Sequence, residues 1–393
     1  MAPIHISAYT IVNALGRGMG ASLHALREGI SGLRRCDLQD VELATCIGRV
    51  DGLEHEPIAG ELAAFDCRNN RLAQAALLQD GFQDAVAAAR LRFGERRIGV
   101  FVGTSTSGIL ETERAYRSYG GERLPDGFSY RHTHDVFSVA DFTCHYLGLK
   151  GPAAGVSTAC SSSAKVFASA SRAMRAGLCD AAVVGGVDSL CLTTLYGFDS
   201  LQLVSSQPCR PWDVARDGLS IGEAAGFALL EWPQPSAAGV ALRGYGESSD
   251  AYHMSAAHPE GKGAELTIRQ ALDSAGVAIE QVDYINLHGT ATQANDAAED
   301  AAVFRVFGAR TPCSSTKGWT GHTLGAAGVT EAVFTCLAIE HGLLPANLNL
   351  QDKDPALRAN ILTETRVQPV HLALTNSFGF GGTNCSLLLA RLP

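Results

Sequence analysis

Residues 155–174 read GVSTACSSSAKVFASASRAM, and Cys160 lies where a short apolar run meets a longer alanine-rich run. The first run, GVSTAC (155–160), predicts a β-strand, and residues 161–177 predict a helix because they contain few helix breakers. A cysteine at the start of a helix faces unpaired backbone N–H groups and the positive end of the helix dipole. We therefore expect a lowered pKa for the Cys160 thiol, which would make it a better nucleophile. This stretch alone leaves open the alternative of a small buried cysteine without chemistry.

The same alternation of apolar and helical runs continues on both sides of this junction. It predicts strands at residues 97–103, 180–187 and 226–232, and helices near residues 72–90, 135–147, 262–276 and 325–341. A connector by composition, PQPSAAG (233–239), interrupts the pattern, and the last segment predicts a hairpin that turns at GFGG (379–382). The pattern as a whole predicts an α/β fold with a largely parallel sheet, in two halves at residues 1–235 and 236–393.

Composition excludes several classes of function. The chain has 393 residues, of which 46% are hydrophobic and 18% are charged, and this is typical of a compact globular protein. A net charge of −9 without a basic run argues against nucleic acid and against an anionic membrane surface. The 11 cysteines include no pair at CxxC spacing, which argues against a disulfide framework and a zinc ribbon. Without an apolar run of about 18 residues or a signal-peptide pattern, we expect a cytoplasmic protein that does not insert into membranes.

A nucleophilic cysteine needs partners, and three other stretches offer them. NLHGTATQAND (286–296) places His288 at the end of a predicted strand, and SSTKGWTGHTLGAAG (314–328) carries Lys317 and His322 before a helix. NSFGFGGTN (376–384) is a glycine-dense turn whose backbone can offer N–H groups to a developing oxyanion. Each stretch alone is a weak signal, because a single histidine at the end of a strand is more often structural.

Together, these stretches resemble the β-ketoacyl-[acyl carrier protein] synthases of the thiolase superfamily, the condensing enzymes with a Cys-His-His site. The resemblance covers nearly the whole chain and includes the segments LGLKGPAAGVSTAC and CRPWDVARDGLSIGEAAGFALLE. It implies a five-layer αβαβα fold of two similar halves. It also implies a homodimer, with a heterodimer containing a related synthase-like subunit as the alternative.

The resemblance implies a reaction in two stages and a role for each matched residue. Cys160 would accept an acyl chain from a carrier thioester. His288 and His322 would bind the thioester carbonyl of a malonyl-carrier and assist its decarboxylation, giving 3-oxoacyl-carrier and CO₂. Lys317 would support the histidines electrostatically, and Glu331 would lie in the shell around them.

Further matches concern the substrate. Thr290 and Thr292 would hydrogen-bond the phosphopantetheine arm of the acyl carrier protein, which is the expected partner. Phe380 would gate the acyl pocket, and its backbone N–H would form an oxyanion hole with that of Cys160. Phe378 is assigned to core packing. The resemblance implies no metal and no diffusible cofactor, because the phosphopantetheine arrives attached to the carrier.

Some positions differ from many relatives and bear on the acyl substrate. Gln293 and Asn295 replace Pro and Gly, and Trp319 is bulkier than the residue common at its position. Thr106 replaces a bulky apolar residue at a position that lines the acyl pocket in relatives. Either the pocket is bounded elsewhere, or it accepts a long or partly polar chain that reaches this hydroxyl, and we favour the second. The chain could serve fatty-acid elongation or a specialised aryl-polyene or polyketide-like pathway. The compact size of the chain and the segment LTTLYGFDSL (192–201) favour the specialised kind.

Three other functions fit the pattern less well. A degradative thiolase would need a second cysteine as base, for which Cys385 is the nearest candidate. A non-catalytic chain-length-factor-like subunit would lack the nucleophile that Cys160 supplies. A papain-like hydrolase would give no role to the pair of histidines. The paired motifs of His288 and His322 favour the synthase over the thiolase and the hydrolase, and the presence of Cys160 favours it over the chain-length-factor-like subunit.

Two surface features complete the sequence-based expectations. FDCRNNRLAQ (65–74) places Arg68 and Arg71 three residues apart, so one helical face could carry both and dock an acidic carrier protein. A solvated helix face is the alternative. The HTH stretch at 132–134 offers two histidines without a third ligand, and we assign it to a solvated loop before the next helix.

Overall fold

The computed structural model describes residues 1–39, 41–121 and 123–392. The strands are β1 (Ile4–Asn13), β2 (Gly16–Arg17), β3 (Leu33–Arg35), β4 (Cys46–Gly48), β5 (Ile98–Gly103), β6 (Ala153–Val156), β7 (Ala181–Asp188), β8 (Ile221–Gly222), β9 (Ala224–Glu231), β10 (Val240–Ser249), β11 (Tyr284–Leu287), β12 (Pro312–Ser315), β13 (Leu343–Leu344), β14 (Asn360–Ile361), β15 (Arg366–Val367), β16 (Leu372–Gly379) and β17 (Thr383–Arg391). The helices are α1 (Gly18–Glu28), α2 (Arg68–Leu77), α3 (Phe82–Phe93), α4 (Ile109–Arg117), α5 (Ser138–Leu147), α6 (Ser162–Arg175), α7 (Leu192–Ser200), α8 (Lys262–Ala275), α9 (Gln293–Phe307), α10 (Lys317–Thr320) and α11 (Ala327–His341).

The main sheet has the order β14-β12-β11-β16-β17-β10-β1-β9-β7-β5-β6. It divides where β10 meets β1 through a short antiparallel register. When the principal strands of each half are numbered in chain order, both halves read 3-2-4-5-1 from the outer edge inward. In both, the second strand is parallel to the third and fourth, and the remaining pairs are antiparallel. The predicted α/β fold is confirmed, and the repeated order shows that it consists of two similar halves. The prediction of a largely parallel sheet is wrong, because the fourth, fifth and first strands of each half pair antiparallel and the sheet is mixed.

Helices separate and cover the two half-sheets, which gives five layers. Helices α6 and α11 pack together in the central layer. One outer layer contains α2, α3 and α5, and the other contains α8 and α9. The strands bury both faces: Phe101 of β5 points to the central helices, whereas Val100 and Val102 point to the outer ones. Helix α11 is buried from Ala327 to Ile339, which explains an apolar sequence without a polar face.

Several predicted boundaries need correction. Strand β6 ends at Val156, four residues before Cys160, because the chain turns at residues 157–161. The helix predicted near 72–90 is two helices, since Asp80 and Gly81 adopt positive φ values of 56° and 67°. The HTH stretch is no solvated loop: it forms a π-helical turn in which Thr133 is buried. The hairpin at GFGG and the connector at 233–239 are as predicted.

Candidate active site

The loop that carries Cys160 is held by local hydrogen bonds. Ser162 Oγ donates to the carbonyl of Ala159 at 2.6 Å and accepts the N–H of Thr158 at 2.9 Å. Ala159 has a φ of +50°, an unusual value for a residue with a side chain. The serines after the cysteine therefore fix a sharp turn that presents the thiol directly before α6.

The electrostatic surroundings of Cys160 differ from the expectation. Burial raises the pKa of the Cys160 thiol to about 11, and the Lys317 ammonium and the backbone N–H of Phe380 only partly oppose this rise. The predicted lowering of the thiol pKa is therefore wrong. The helix start is present, but desolvation of the charged form outweighs it because Cys160 is buried.

His322 makes direct contact with the nucleophile. Its Nε2 atom lies 3.0 Å from Cys160 Sγ, within hydrogen-bond distance for sulfur. The backbone on both sides is fixed, because His322 N–H donates to Ser220 O at 2.7 Å and Gly222 N–H donates to His322 O at 2.9 Å. Burial, and then Lys317, lower the pKa of His322 well below its ordinary value, so the ring is neutral at pH 7. Among the described residues, His322 Nδ1 has no hydrogen-bond partner.

His288 follows β11 and faces His322 edge-on, with ring centroids 5.3 Å apart. Glu299 on α9 holds the backbone of this turn by accepting the N–H groups of His288 and Gly289, both at 2.8 Å. Lys317 Nζ lies 3.4 Å from His288 Nδ1. Burial, Lys317 and His322 lower the pKa of His288 well below its ordinary value. With Lys317 at Nδ1, the neutral ring carries its proton on Nε2.

Lys317 and Glu331 form a buried ion pair behind the histidines. The Lys317 ammonium also donates to the carbonyl of His288, so it has three partners around one charge. Burial raises the pKa of the Glu331 carboxyl, and the adjacent Lys317 opposes that rise. The pair places a positive charge beside both imidazoles without exposing it to the cavity.

One cavity brings the predicted residues together. Its lining includes Cys160, His288, His322, Thr290, Thr292 and Phe380. The hydroxyls of Thr290 and Thr292 lie 3.0 Å apart on its wall. Apolar side chains complete the cavity, namely Phe198, Leu203, Leu219 and Phe378. The assignment of Phe378 mostly to core packing agrees with its place in the buried core, and its ring also lies 5.8 Å from that of His288.

The glycine-dense turn lies against the nucleophile loop. Gly381 and Gly382 adopt φ values of 78° and 72°, which residues with side chains rarely adopt. Thr383 Oγ1 donates to the carbonyl of Thr158 at 3.0 Å and is 2.7 Å from Ser161 Oγ. These contacts bring the backbone N–H of Phe380 to the sulfur of Cys160.

Other predicted positions lie elsewhere. Thr106 is buried behind the cavity lining, and its hydroxyl donates to Asp188 Oδ1 at 2.8 Å, so it is not free to meet a polar acyl chain. Trp319 is a core residue whose Nε1 donates to Ala346 O at 3.1 Å. Asn295 lines the cavity, whereas Gln293 is exposed.

The arginines predicted for docking are already paired. Arg68 is buried and binds Glu223 and Glu54, because α2 packs this face against the protein. Arg71 binds Asp66 at 2.6 Å. The predicted basic face of Arg68 and Arg71 is therefore wrong.

Cys385 does not fit the role of a second catalytic cysteine. It is fully buried in β17, opposite Ser377 and Glu247, and lies outside the cavity lining. The thiolase alternative therefore has no base at this position.

Cys160, His288 and His322 could also hold a metal ion, because their ligand atoms all lie within 4.8 Å of one another. Sulfur and nitrogen ligands of tetrahedral zinc lie about 3.5 Å apart. The 3.0 Å separation of Cys160 Sγ and His322 Nε2 is shorter and is that of a hydrogen bond. The geometry favours a proton-sharing pair.

Two acidic residues that the sequence motifs did not indicate also support the site. Asp296 accepts the N–H groups of Trp212 and Ala291, and Glu299 holds the His288 turn. A usable signal existed, because these two acidic residues lie three positions apart on α9, a spacing that puts both on one helix face. Asp188, at the end of β7, gave no such signal.

Comparison with known proteins points to one family. The family model "Beta-ketoacyl synthase, N-terminal domain" matches residues 64–234, and "Beta-ketoacyl synthase, C-terminal domain" matches residues 240–351. The chain is 41% identical over 313 residues to 3-oxoacyl-[acyl-carrier-protein] synthase 2 of Rhizobium meliloti (strain 1021), covering 75% of this chain and 74% of that protein. It is 31% identical over 427 residues to the mitochondrial 3-oxoacyl-[acyl-carrier-protein] synthase of Arabidopsis thaliana, covering 98% and 93%.

Solved structures show the same fold. A chain from the complex of the ketosynthase ApeO with its chain length factor ApeC from Xenorhabdus doucetiae superposes with a TM-score of 0.90 at 41% identity. The match covers 100% of this chain and 98% of that chain. The ishigamide ketosynthase/chain length factor also gives a TM-score of 0.90, at 26% identity and with 100% of both chains covered.

Proposed function

This chain belongs to the beta-ketoacyl synthase family and is a condensing acyltransferase, and we propose that it elongates a carrier-bound acyl chain on Cys160. The observation that carries this proposal is the cavity in which one thiol and two neutral imidazoles meet. The thiol forms the acyl-enzyme, and the imidazoles act on the malonyl unit.

In the first stage, Cys160 attacks the carbonyl of the incoming acyl thioester. The thiol is protonated at rest, so its proton passes to His322 Nε2 as the carbon–sulfur bond forms. The N–H groups of Cys160 and Phe380 stabilise the oxyanion, and the proton then goes to the departing pantetheine sulfur. The products are the acylated Cys160 and a free carrier thiol.

In the second stage, malonyl-carrier loses CO₂ and becomes an enolate. The enolate carbon attacks the acyl group on Cys160, the acyl–sulfur bond breaks to give 3-oxoacyl-carrier, and the released Cys160 thiolate takes a proton from solvent. His288 donates from Nε2 to the enolate oxygen, because Lys317 lies at its Nδ1. His322 donates to the same oxygen. No partner among the described residues fixes the proton of His322 at Nδ1, so the ring can carry it on Nε2 in the acyl-enzyme.

The substrates reach this cavity on a carrier protein. Thr290 and Thr292 would hydrogen-bond the amides of the phosphopantetheine arm from the cavity wall. Pantetheine is then part of the substrate, and no separate cofactor enters the two stages.

None of the helices in the described part of the chain is long and apolar enough to span a bilayer. We place the enzyme in the cytoplasm.

We also propose a dimer that forms across β6. This strand ends the sheet in the part of the chain that the structure describes, and it is only half-buried. The side chains of Val136 and Phe137, whose backbone lies against Gly155 of this strand, are exposed although they are large and apolar. An unpaired apolar edge of this kind favours pairing with another strand.

We propose that the boundary between the two halves lies between residues 235 and 236, between β9 and β10.

The likeness to a chain of the ApeO–ApeC complex supports a specialised polyene-type pathway. In such a pathway the second chain of the dimer would be a chain-length-factor-like subunit. Light scattering on the purified chain, alone and after co-expression with such a subunit, separates a homodimer from a heterodimer.

The central experiment combines two measurements on the wild-type chain. Intact-protein mass spectrometry follows acyl loading from a panel of acyl-carriers, and release of labelled CO₂ follows decarboxylation of malonyl-carrier. We expect loading on Cys160 and CO₂ release that depends on it. Cleavage of acetoacetyl-CoA without decarboxylation would indicate a thiolase and overturn the proposal.

A further inference from the structure

On the premise of the condensation proposed above, we propose that Asp188 is a positioning residue that sets His322 against Cys160. The two stages described above give Asp188 no chemical step. Its carboxylate lies at the carboxyl end of β7, at the meeting point of three loops, and it is fully buried. Two of these loops lead to Cys160 and His322.

The first contact of Asp188 is with the loop after β5. Asp188 Oδ1 accepts the hydroxyls of Thr104 and Thr106 at 2.7 and 2.8 Å, and the N–H groups of Ser105 and Thr106, both at 2.8 Å. So many donors around one oxygen satisfy an ionised carboxylate but not an amide, which has a single acceptor oxygen and adds two donors.

This loop extends to the nucleophile. Ser105 Oγ donates to the carbonyl of Ala159 at 3.1 Å, and Ala159 is the residue before Cys160 with a φ of +50°. A strained residue keeps its conformation only when its surroundings fix it. Asp188 fixes Ser105, and Ser105 in turn restrains the turn that presents the thiol.

The second contact of Asp188 is with the loop of His322. Gly325 N–H donates to Asp188 Oδ2. Leu324, which directly precedes Gly325 in the loop that carries His322, has a φ of +54°. A Cβ atom on Gly325 would lie 2.6 Å from Asp188 Oδ2, so the close approach needs glycine. Asp188 therefore contacts the loop of His322 directly and restrains the Cys160 turn through Ser105, so one carboxylate acts on both sides of the 3.0 Å pair of Cys160 Sγ and His322 Nε2.

A displacement of about 1 Å between reacting groups can cost up to a hundredfold in rate. We therefore expect Asp188→Asn to lower the rate of CO₂ release per loaded site roughly ten- to a hundredfold. The KM for malonyl-carrier should change little, because Thr290 and Thr292 lie on α9's side of the cavity and do not contact Asp188. Counting loaded sites by mass spectrometry removes the contribution of unfolded enzyme.

The matched control is Asp300→Asn. Asp300 is also a buried carboxylate, and it accepts the N–H groups of Arg358 and Ala359 at 2.8 and 2.7 Å, away from the cavity. The substitution Asp300→Asn should lower thermal stability without changing the rate of CO₂ release per loaded site. If Asp188→Asn does not fold, Gly325→Ala pushes the His322 loop away from both Asp188 Oδ2 and Ser105 without changing a charge, and it should also lower the rate per loaded site.

A double-mutant cycle tests whether Asp188 acts through His322. In the His322→Ala background, the further change Asp188→Asn should leave the residual CO₂ release unchanged within about twofold. A full additional loss in that background would overturn the positioning role, as would an unchanged rate per loaded site in Asp188→Asn alone. A wild-type chain that loads acyl groups but releases no CO₂ would instead overturn the proposed function, and the positioning role with it.

Discussion

The two halves of the molecule share one strand order but differ at the carboxyl ends of their strands. In the first half, the loop after its second strand carries Thr104 to Ser107, and in the second half the matching loop carries His288. After the third strand, the first half presents Cys160 before α6, and the second half presents His322 before α11. Equivalent places in the duplicated fold therefore carry different chemistry.

This difference explains why neither half could work alone. In the proposed reaction, the first half supplies the nucleophile and a network of hydrogen bonds around Asp188, and the second supplies the proton donors and the Lys317 charge. Packing α6 against α11 brings the two strand ends into one cavity. The site depends on the interface between the halves, and substitutions on the two sides should have separable effects.

The largest expected effect is loss of the nucleophile of the first half. Cys160→Ala should abolish acyl loading and condensation, because no other cysteine lines the cavity among the described residues. Intact mass and peptide mapping after incubation with acyl-carrier measure it. Cys385→Ala, a buried cysteine of the second half, is the control and should load normally. Acylation of another cysteine with preserved turnover would contradict the assignment.

Removing a donor of the second half should have the next largest effect. His288→Ala or His322→Ala should lower malonyl decarboxylation by about 10²–10³-fold, the usual cost of one lost oxyanion donor. His288→Ala should leave acyl loading nearly intact, because His322 is the ring that contacts the thiol. His145→Ala, on an exposed helix face, is the control. Normal CO₂ release in either variant would remove that histidine from the enolate site.

Substitution of Arg68 should lower the stability of the protein rather than its binding of the carrier, because Arg68 forms a buried ion pair. Arg68→Met leaves the fully buried Glu223 unpaired and should cost about 3–5 kcal/mol of unfolding free energy. Arg71→Met breaks a partly exposed pair and should cost about 0–1 kcal/mol. Urea unfolding measures both. A raised KM for acyl-carrier with an unchanged KM for a small pantetheine thioester would restore the docking role.

The pH dependence of alkylation tests the electrostatics of the nucleophile. A raised pKa of about 11 means that the Cys160 thiol stays protonated well above neutral pH. The rate of iodoacetamide modification should therefore rise about tenfold per pH unit between pH 7 and 9, since the thiolate is the reactive form. Cys160→Ser gives the background from other cysteines. A rate that is flat across this range would indicate a thiolate at neutral pH.

The sequence predicted the helices and strands and the motifs that form the site. It did not predict how deeply individual side chains are buried. Strands that bury both faces appear as unbroken apolar runs, so the α/β pattern and its two halves could be read directly. The motifs of Cys160, His288 and His322 were recognisable because each is compact in sequence. The i, i+3 spacing of Arg68 and Arg71 indicates a shared helix face but not whether another element covers it.

The misjudged thiol pKa and the unrecognised Asp188 have the same cause. Burial of Cys160 results from the packing of both halves, and no local pattern encodes it. Asp188 accepts hydrogen bonds from Thr104 and from Gly325, which lie 84 and 137 positions away along the chain. Long-range backbone contacts of this kind leave no periodic signal in a single sequence.

The smallest expected effect concerns Thr106, where the first half has a hydroxyl in place of catalytic chemistry. Thr106→Val keeps the branched shape and removes the donor to Asp188, which should cost about 1–2 kcal/mol in urea unfolding. Thr106→Ser keeps the hydroxyl and should cost less. Because Thr106 lies outside the cavity lining, kcat/KM over a series of acyl-carrier lengths should keep its profile in both variants. Thr106→Ile adds bulk at the same place. Two results together would contradict this expectation: an acyl-length profile of Thr106→Ile shifted toward shorter chains, and full stability of Thr106→Val. They would place Thr106 in the wall of a pocket completed by the dimer, and the first half would then determine chain length.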